Sequence, residues 1–92
     1  MEILLPNSAA LNSALLTVLR EHPGGLNSKE IDRLASKKLG ISETDLGVIR
    51  SGTRTEFAYR MAWERTHAKA KGFIRKNEFR VWVITDSGKL IK

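Results

Sequence analysis

The chain has 92 residues, 16 of them lysine or arginine against 10 acidic, for a net charge of +6 and no cysteine. That length suits one domain spanning 1–92 with a modest core, and the absence of thiols excludes a disulfide framework or a thiolate metal site. The opening MEILLP carries Glu2 and Pro6 where a secretory leader would be basic and then apolar, and no run is long enough to span a bilayer, so a cytoplasmic location away from membranes is expected.

Leu11, Leu15, Val18 and Leu19 lie on one stripe, which predicts a first helix from Ser8 to His22. Pro23-Gly24-Gly25 ends it, because proline cannot continue the helix and the glycines allow a sharp turn. In LNSKEI, Asn27 is placed to cap a second helix, Glu30 to bond back to the cap, and Leu26 with Ile31 to staple the entry. This helix should run to about Leu39, bury Ile31, Leu34 and Ala35, and close at Gly40. ISETDL repeats the device with Ser42 and Asp45 inside Ile41 and Leu46, for one short helical turn.

RSGTRTEFAYRMAWER, Arg50 to Arg65, packs four arginines and three aromatics into one stretch. Ser51-Gly52 reads as a turn and Thr53 as a helix cap, with Glu56 at the third helical position and Gly72 as the stop after Lys71. At about 100° per residue, Phe57, Met61 and Ala68 share one face, while Tyr59, Ala62, Trp63, Thr66 and Ala70 gather opposite. Two apolar sides predict two covering partners, the earlier helices and a C-terminal hairpin. Phe57, Trp63 and Trp82 are accordingly expected in the core, with the Tyr59 hydroxyl free for solvent or a phosphate.

FIRKNEFRVWVIT alternates as a hairpin with its turn near Lys76-Asn77-Glu78. Trp82 and Ile84 share one strand face, Val81 and Val83 the other, and Thr85-Asp86-Ser87-Gly88 should end the strand in a turn. The order is helix, helix, short turn, long helix, hairpin. It predicts an α+β winged helix-turn-helix: three main helices, a short helical turn and a C-terminal β-hairpin wing.

Charge is polarised along this order. Residues 1–46 hold five basic and six acidic side chains, net −1, and residues 47–92 hold eleven and four, net +7. A positive excess confined to one half points to an anionic partner, double-stranded DNA first. Catalysis finds less support. His22 and His67 stand far apart and outside metal-ligand spacing, and Gly24-Gly25 does not follow a strand as a phosphate loop does. The carboxylates sit at helix starts, where capping and the dipole explain them. Binding without chemistry, metal or cofactor is the expectation.

SGTRTEFAYRMAWERTHAKAKGFI followed by VWVITDSG resembles the N-terminal winged-helix domain of Mrr-type restriction proteins. The shared features fall on Ser51-Gly52, Arg60, Met61, Trp63, Gly72 and Thr85 to Gly88, and LLTVLREHPGGLNSKEI resembles the family's opening helix and second-helix start. The resemblance implies the DNA-binding module of a modification-dependent restriction system. No P-D…(D/E)-x-K or H-N-H pattern occurs in the 92 residues, so a nuclease domain is expected in cis or in trans.

The long helix should then enter the major groove by its N-terminal end, with Thr53, Arg54 and Thr55 at base edges and arginine bonding guanine. Arg50, Arg65, Lys69, Lys76 and Arg80 should hold phosphates, and Ser51, Arg60 and Asn77 complete the candidate surface. A modified cytosine could be sensed by an apolar contact to its methyl group. Two other classes fit the same pattern. One is a stand-alone transcriptional regulator that binds palindromes as a homodimer, and the other is a winged helix that binds protein through an exposed aromatic.

Overall fold

Side-chain caps open the helices. In the computed structural model, which describes residues 5–91, Asn7 Oδ1 accepts the Ala10 N–H at 2.9 Å at the head of α1 (Ser8–Glu21). Asn27 Oδ1 does the same for the Glu30 N–H at 2.8 Å at α2 (Ser28–Leu39), which ends at Gly40. The capping box is half made, because the Glu30 carboxylate turns to Arg33 at 2.7 Å. Ser42 Oγ caps the four-residue α3 (Glu43–Leu46) through the Asp45 N–H.

The next segment turns at Gly52, where a turn was expected, but departs from the expected cap. Ile49–Ser51 forms β1 and Arg54–Thr55 forms β2, an antiparallel pair in which Ile49 faces Thr55 and Ser51 faces Arg54. Thr53 therefore lies in the hairpin turn, exposed, where the chain has not yet become helical. The cap passes to Thr55, whose Oγ1 accepts the Ala58 N–H at 3.1 Å, and α4 runs Glu56–Ala70 with Glu56 as its first residue.

The C-terminal hairpin pairs β3 (Ile74–Lys76) with β4 (Trp82–Ile84) in the register Ile74–Ile84, Arg75–Val83 and Lys76–Trp82. Leu26 bonds the other edge of β4, exchanging N–H···O bonds of 2.9 and 2.8 Å with Trp82. Gly25 lets the α1–α2 loop pass close over β4. A side chain there would strike Val81 and Val83 within 2.8 Å, and φ is +96°. Trp82, Val83 and Ile84 are all buried as a result, so both strand faces are covered. The expected turn at 85–88 is instead a short helix, α5 (Asp86–Lys89), capped by Thr85. Thr85 Oγ1 accepts the Gly88 N–H and donates to the Gly72 carbonyl at 2.6 Å.

These five helices and two small antiparallel sheets share one core. α1 sits at its centre and buries Leu11, Ala14, Leu15, Leu16, Val18 and Leu19. Against it lie Ile31 and Ala35 of α2, Phe57, Met61 and Ala68 of α4, and Ile74, Trp82 and Ile84 of the hairpin. The hairpin packs on α1 and α4 within this same cluster. It does not cover the opposite side of α4, so Trp63, expected in the core, is 49% exposed.

Candidate nucleic-acid interface

The β1–β2 hairpin brings Arg50 beside the first turn of α4, where Glu56 holds two guanidinium groups. Arg50 Nη1 lies 3.0 Å from Glu56 Oε2, and Arg60 Nε lies 3.1 Å from Oε1. The Arg50 hydrogen bond holds the Glu56 carboxyl below the usual carboxylate range, with Arg60 adding to it against the opposing effect of burial. Glu56 thus already supplies the negative charge that a helix N-terminus favours. The Arg50 guanidinium stacks 3.6 Å from the Tyr59 ring centroid, and that of Arg54 lies at 5.5 Å.

Beyond this start, residues four apart on α4 form an aromatic row. The Tyr59 and Trp63 rings meet edge to face at 6.4 Å, and Trp63 lies 5.7 Å from His67. One side of the row is a groove of about 340 Å³ lined by Arg54, Tyr59, Ala62, Trp63 and Thr66. The other is a cleft of about 270 Å³ running from Trp63 to Pro6, Ser8, Leu11, Arg60 and Glu64. Buried Glu64 is satisfied there by the Ser8 hydroxyl at 2.6 Å.

The described basic side chains of residues 47–92 separate into two groups. Arg65 points inward: its Nη1 lies 2.7 Å from Asp32 Oδ1, and its side chain is only 12% exposed. It is engaged in an ion pair within the fold, and its expected phosphate contact would require leaving Asp32. Burial pushes the Asp32 carboxyl up to about 6, against the charge and hydrogen bond of Arg65 and the charge of Arg54. Among the described residues, Arg54, Lys69, Arg75, Lys76 and Arg80 are exposed and make no ion pair. Lys76 Nζ lies 5.2 Å over the Trp82 ring. Ser51 is exposed in β1, beside Arg54 in register.

Asn77 shapes the hairpin tip, since its Oδ1 accepts the Phe79 and Val81 N–H groups at 2.9 and 3.3 Å. The sequence reading passed over Phe79, which is 76% exposed at that tip. Its signal was an aromatic set between Glu78 and Arg80 inside a polar turn. Periodicity did reveal the Tyr59–Trp63 face, though not that it is uncovered. Among the described residues no three His, Cys, Asp or Glu side chains gather as a metal site, and no helix is long and apolar enough to cross a membrane.

Residues 9–92 match the family model described as the Mrr N-terminal domain. No curated protein and no solved structure matches the chain.

Proposed function

Because the chain belongs to the Mrr N-terminal domain family, we propose that it is the duplex-DNA-binding module of a restriction system, built as a winged helix-turn-helix. On this reading α1, α2 and α4 are the three helices, β1–β2 is an insertion before the third, and β3–β4 is the wing. The Leu26–Trp82 bridge supports it by giving the wing sheet a third strand position.

The observation that carries the reading is a group of exposed cations that have no acid partner among the described residues: Arg54, Lys69, Lys71, Arg75, Lys76 and Arg80. They occur at the start and end of α4 and on the hairpin, in the half of the chain with net charge +7. Arg54 stands at the mouth of the α4 groove and is suited to bond guanine O6 and N7. The apolar wall formed by Tyr59, Ala62 and Trp63 is suited to the C5-methyl group of thymine or of a modified cytosine. Lys69, Arg75, Lys76 and Arg80 hold phosphates and fix the register. The module binds without chemistry, and a nuclease domain in cis or in trans cuts.

Duplex titrations across a range of salt concentrations test this. Neutralising about four phosphates, at about 0.9 per phosphate, gives a slope of log K against log salt of about −3.6. A flat response would sink the reading. The exposed Tyr59–Trp63–His67 row favours a second reading, a protein-docking helix. That reading requires salt-insensitive capture of a partner domain, lost in Trp63→Ala.

A further inference from the structure

The hairpin tip is built more firmly than a solvating loop requires. Its root is buried through Ile74, Trp82 and Ile84, and the Trp82 Nε1–H donates to Ser28 Oγ at 3.2 Å. At the tip the Asn77 N–H donates to the Val81 carbonyl and the Arg80 N–H to the Asn77 carbonyl, each at 3.0 Å. Asn77 Oδ1 closes the same turn from inside. Arg80 completes it in the left-handed region at φ 62°, the one non-glycine residue among the described ones with positive φ. Glycine or asparagine is the usual occupant of such a position, yet the chain places a cation there.

The turn holds Phe79 outward. Phe79 is 76% exposed and stands outside the core cluster. Arg75, Lys76 and Arg80 surround it in sequence, all exposed, against the single acid Glu78. An aromatic ring carried outside the core on a hydrogen-bonded turn, with three exposed cations near it in sequence, has no packing role in that core. It is complementary to a surface that is anionic at its rim and apolar beneath. Duplex DNA has that character, with phosphates lining a groove above stacked bases, and apolar wedges pressed between base steps from the minor groove kink the duplex.

We propose that Phe79 is such a wedge: the hairpin tip enters the minor groove, Arg80 and Lys76 engage the flanking phosphates, and the ring partly unstacks one base step. The proposal rests on the duplex-binding reading above. It adds a deformation, and with it a preference for steps that kink easily, such as TA and CA/TG.

The experiment uses the full chain and a 30-base-pair duplex with dyes at both ends and one central TA step carrying 2-aminopurine. The wild type should shorten the end-to-end distance, consistent with a kink of about 20–90°, and brighten the 2-aminopurine. Phe79→Ala should bind a straight duplex with the 2-aminopurine still quenched, and Phe79→Leu should restore most of the kink. The ring lies outside the core, so both variants should keep the wild-type melting temperature. A straight duplex bound by the wild type, or an equal kink with Phe79→Ala, overturns the wedge and leaves duplex binding standing. Absence of wild-type binding at any salt concentration overturns both. If Phe79→Ala instead converts a dimer to a monomer in light scattering, the tip packs on a second copy and the wedge is again overturned.

Discussion

Trp63 and Trp82 are treated oppositely by the same core. Trp82 is 8% exposed and anchors β4, whereas Trp63 is 49% exposed in an aromatic row on the open side of α4. A buried tryptophan removed to alanine costs about 3–5 kcal/mol. Trp63→Ala should instead cost about 1 kcal/mol, the scale of its contacts with Tyr59 and His67. Denaturant unfolding checks this, and a loss near the larger figure would place the ring inside after all. Asp32 carries a second prediction. Its folded pKa of about 6 exceeds the ordinary 3.8 because burial outweighs Arg65. The folded chain therefore binds a proton that the unfolded chain does not between those values. Stability from this group is fully present below about 3.8 and is lost as pH rises through about 6. Glu21, Glu30 and Glu56, held low by Lys38, Arg33 and Arg50, act in the opposite direction, losing their contribution as pH falls below the usual carboxylate range. The melting temperature of the wild type should thus rise between pH 7 and 5 more than that of Asp32→Asn. Parallel curves for the two proteins would refute the assignment.

At the scale of elements, helix entries were legible because a cap is a local event. Asn27 and Ser42 each bond an N–H three residues on, and both caps stand where LNSKEI and ISETDL place them. Thr53 is the expected cap of the long helix because Glu56 stands three residues on, but the cap is Thr55. Pairing of Thr55 with Ile49 across the β1–β2 hairpin settled the cap, and that pairing is not local. The open face of α4 illustrates the same limit: periodicity says which residues share a side, but tertiary packing decides whether the side is covered. Thr85-Asp86-Ser87-Gly88 was read as a turn, and its spacing now has a cause. Thr85 caps α5 through the Gly88 N–H, and Gly88 lies so close to β3 that a methyl group there would overlap the Phe73 carbonyl oxygen and crowd Ile84. Gly88→Ala should accordingly cost about 1–3 kcal/mol, the range for overpacking a close contact. The helical conformation of Gly88 itself tolerates alanine, so a neutral or stabilising result in thermal unfolding would show that α5 can lift from Phe73.

For the whole molecule the question is how much of the +7 in the second half reaches outward. Arg65 is paired with Asp32, and Arg50 and Arg60 share Glu56, so three of the arginines first assigned to the DNA face are wholly or partly engaged by the fold. Lys76 remains exposed on the hairpin with no acid partner among the described residues. Arg65 and Lys76 carry the same formal charge, yet one is paired within the fold and the other is exposed, so they should behave differently when removed. Lys76→Ala should leave unfolding unchanged within about 0.5 kcal/mol, weaken all duplexes alike, and flatten the salt slope by about one unit. Arg65→Ala leaves Asp32 four-fifths buried without its partner. It should cost about 3 kcal/mol of stability and, measured well below its melting temperature, keep the wild-type salt slope. Unfolding curves and duplex titrations on the two variants separate a charge that holds the fold from one that holds the backbone. Equal flattening by both would mean that Arg65 leaves Asp32 for a phosphate when DNA arrives. In that case the buried pair is a feature of the free protein alone, and the protonation of Asp32 near pH 6 becomes coupled to DNA affinity.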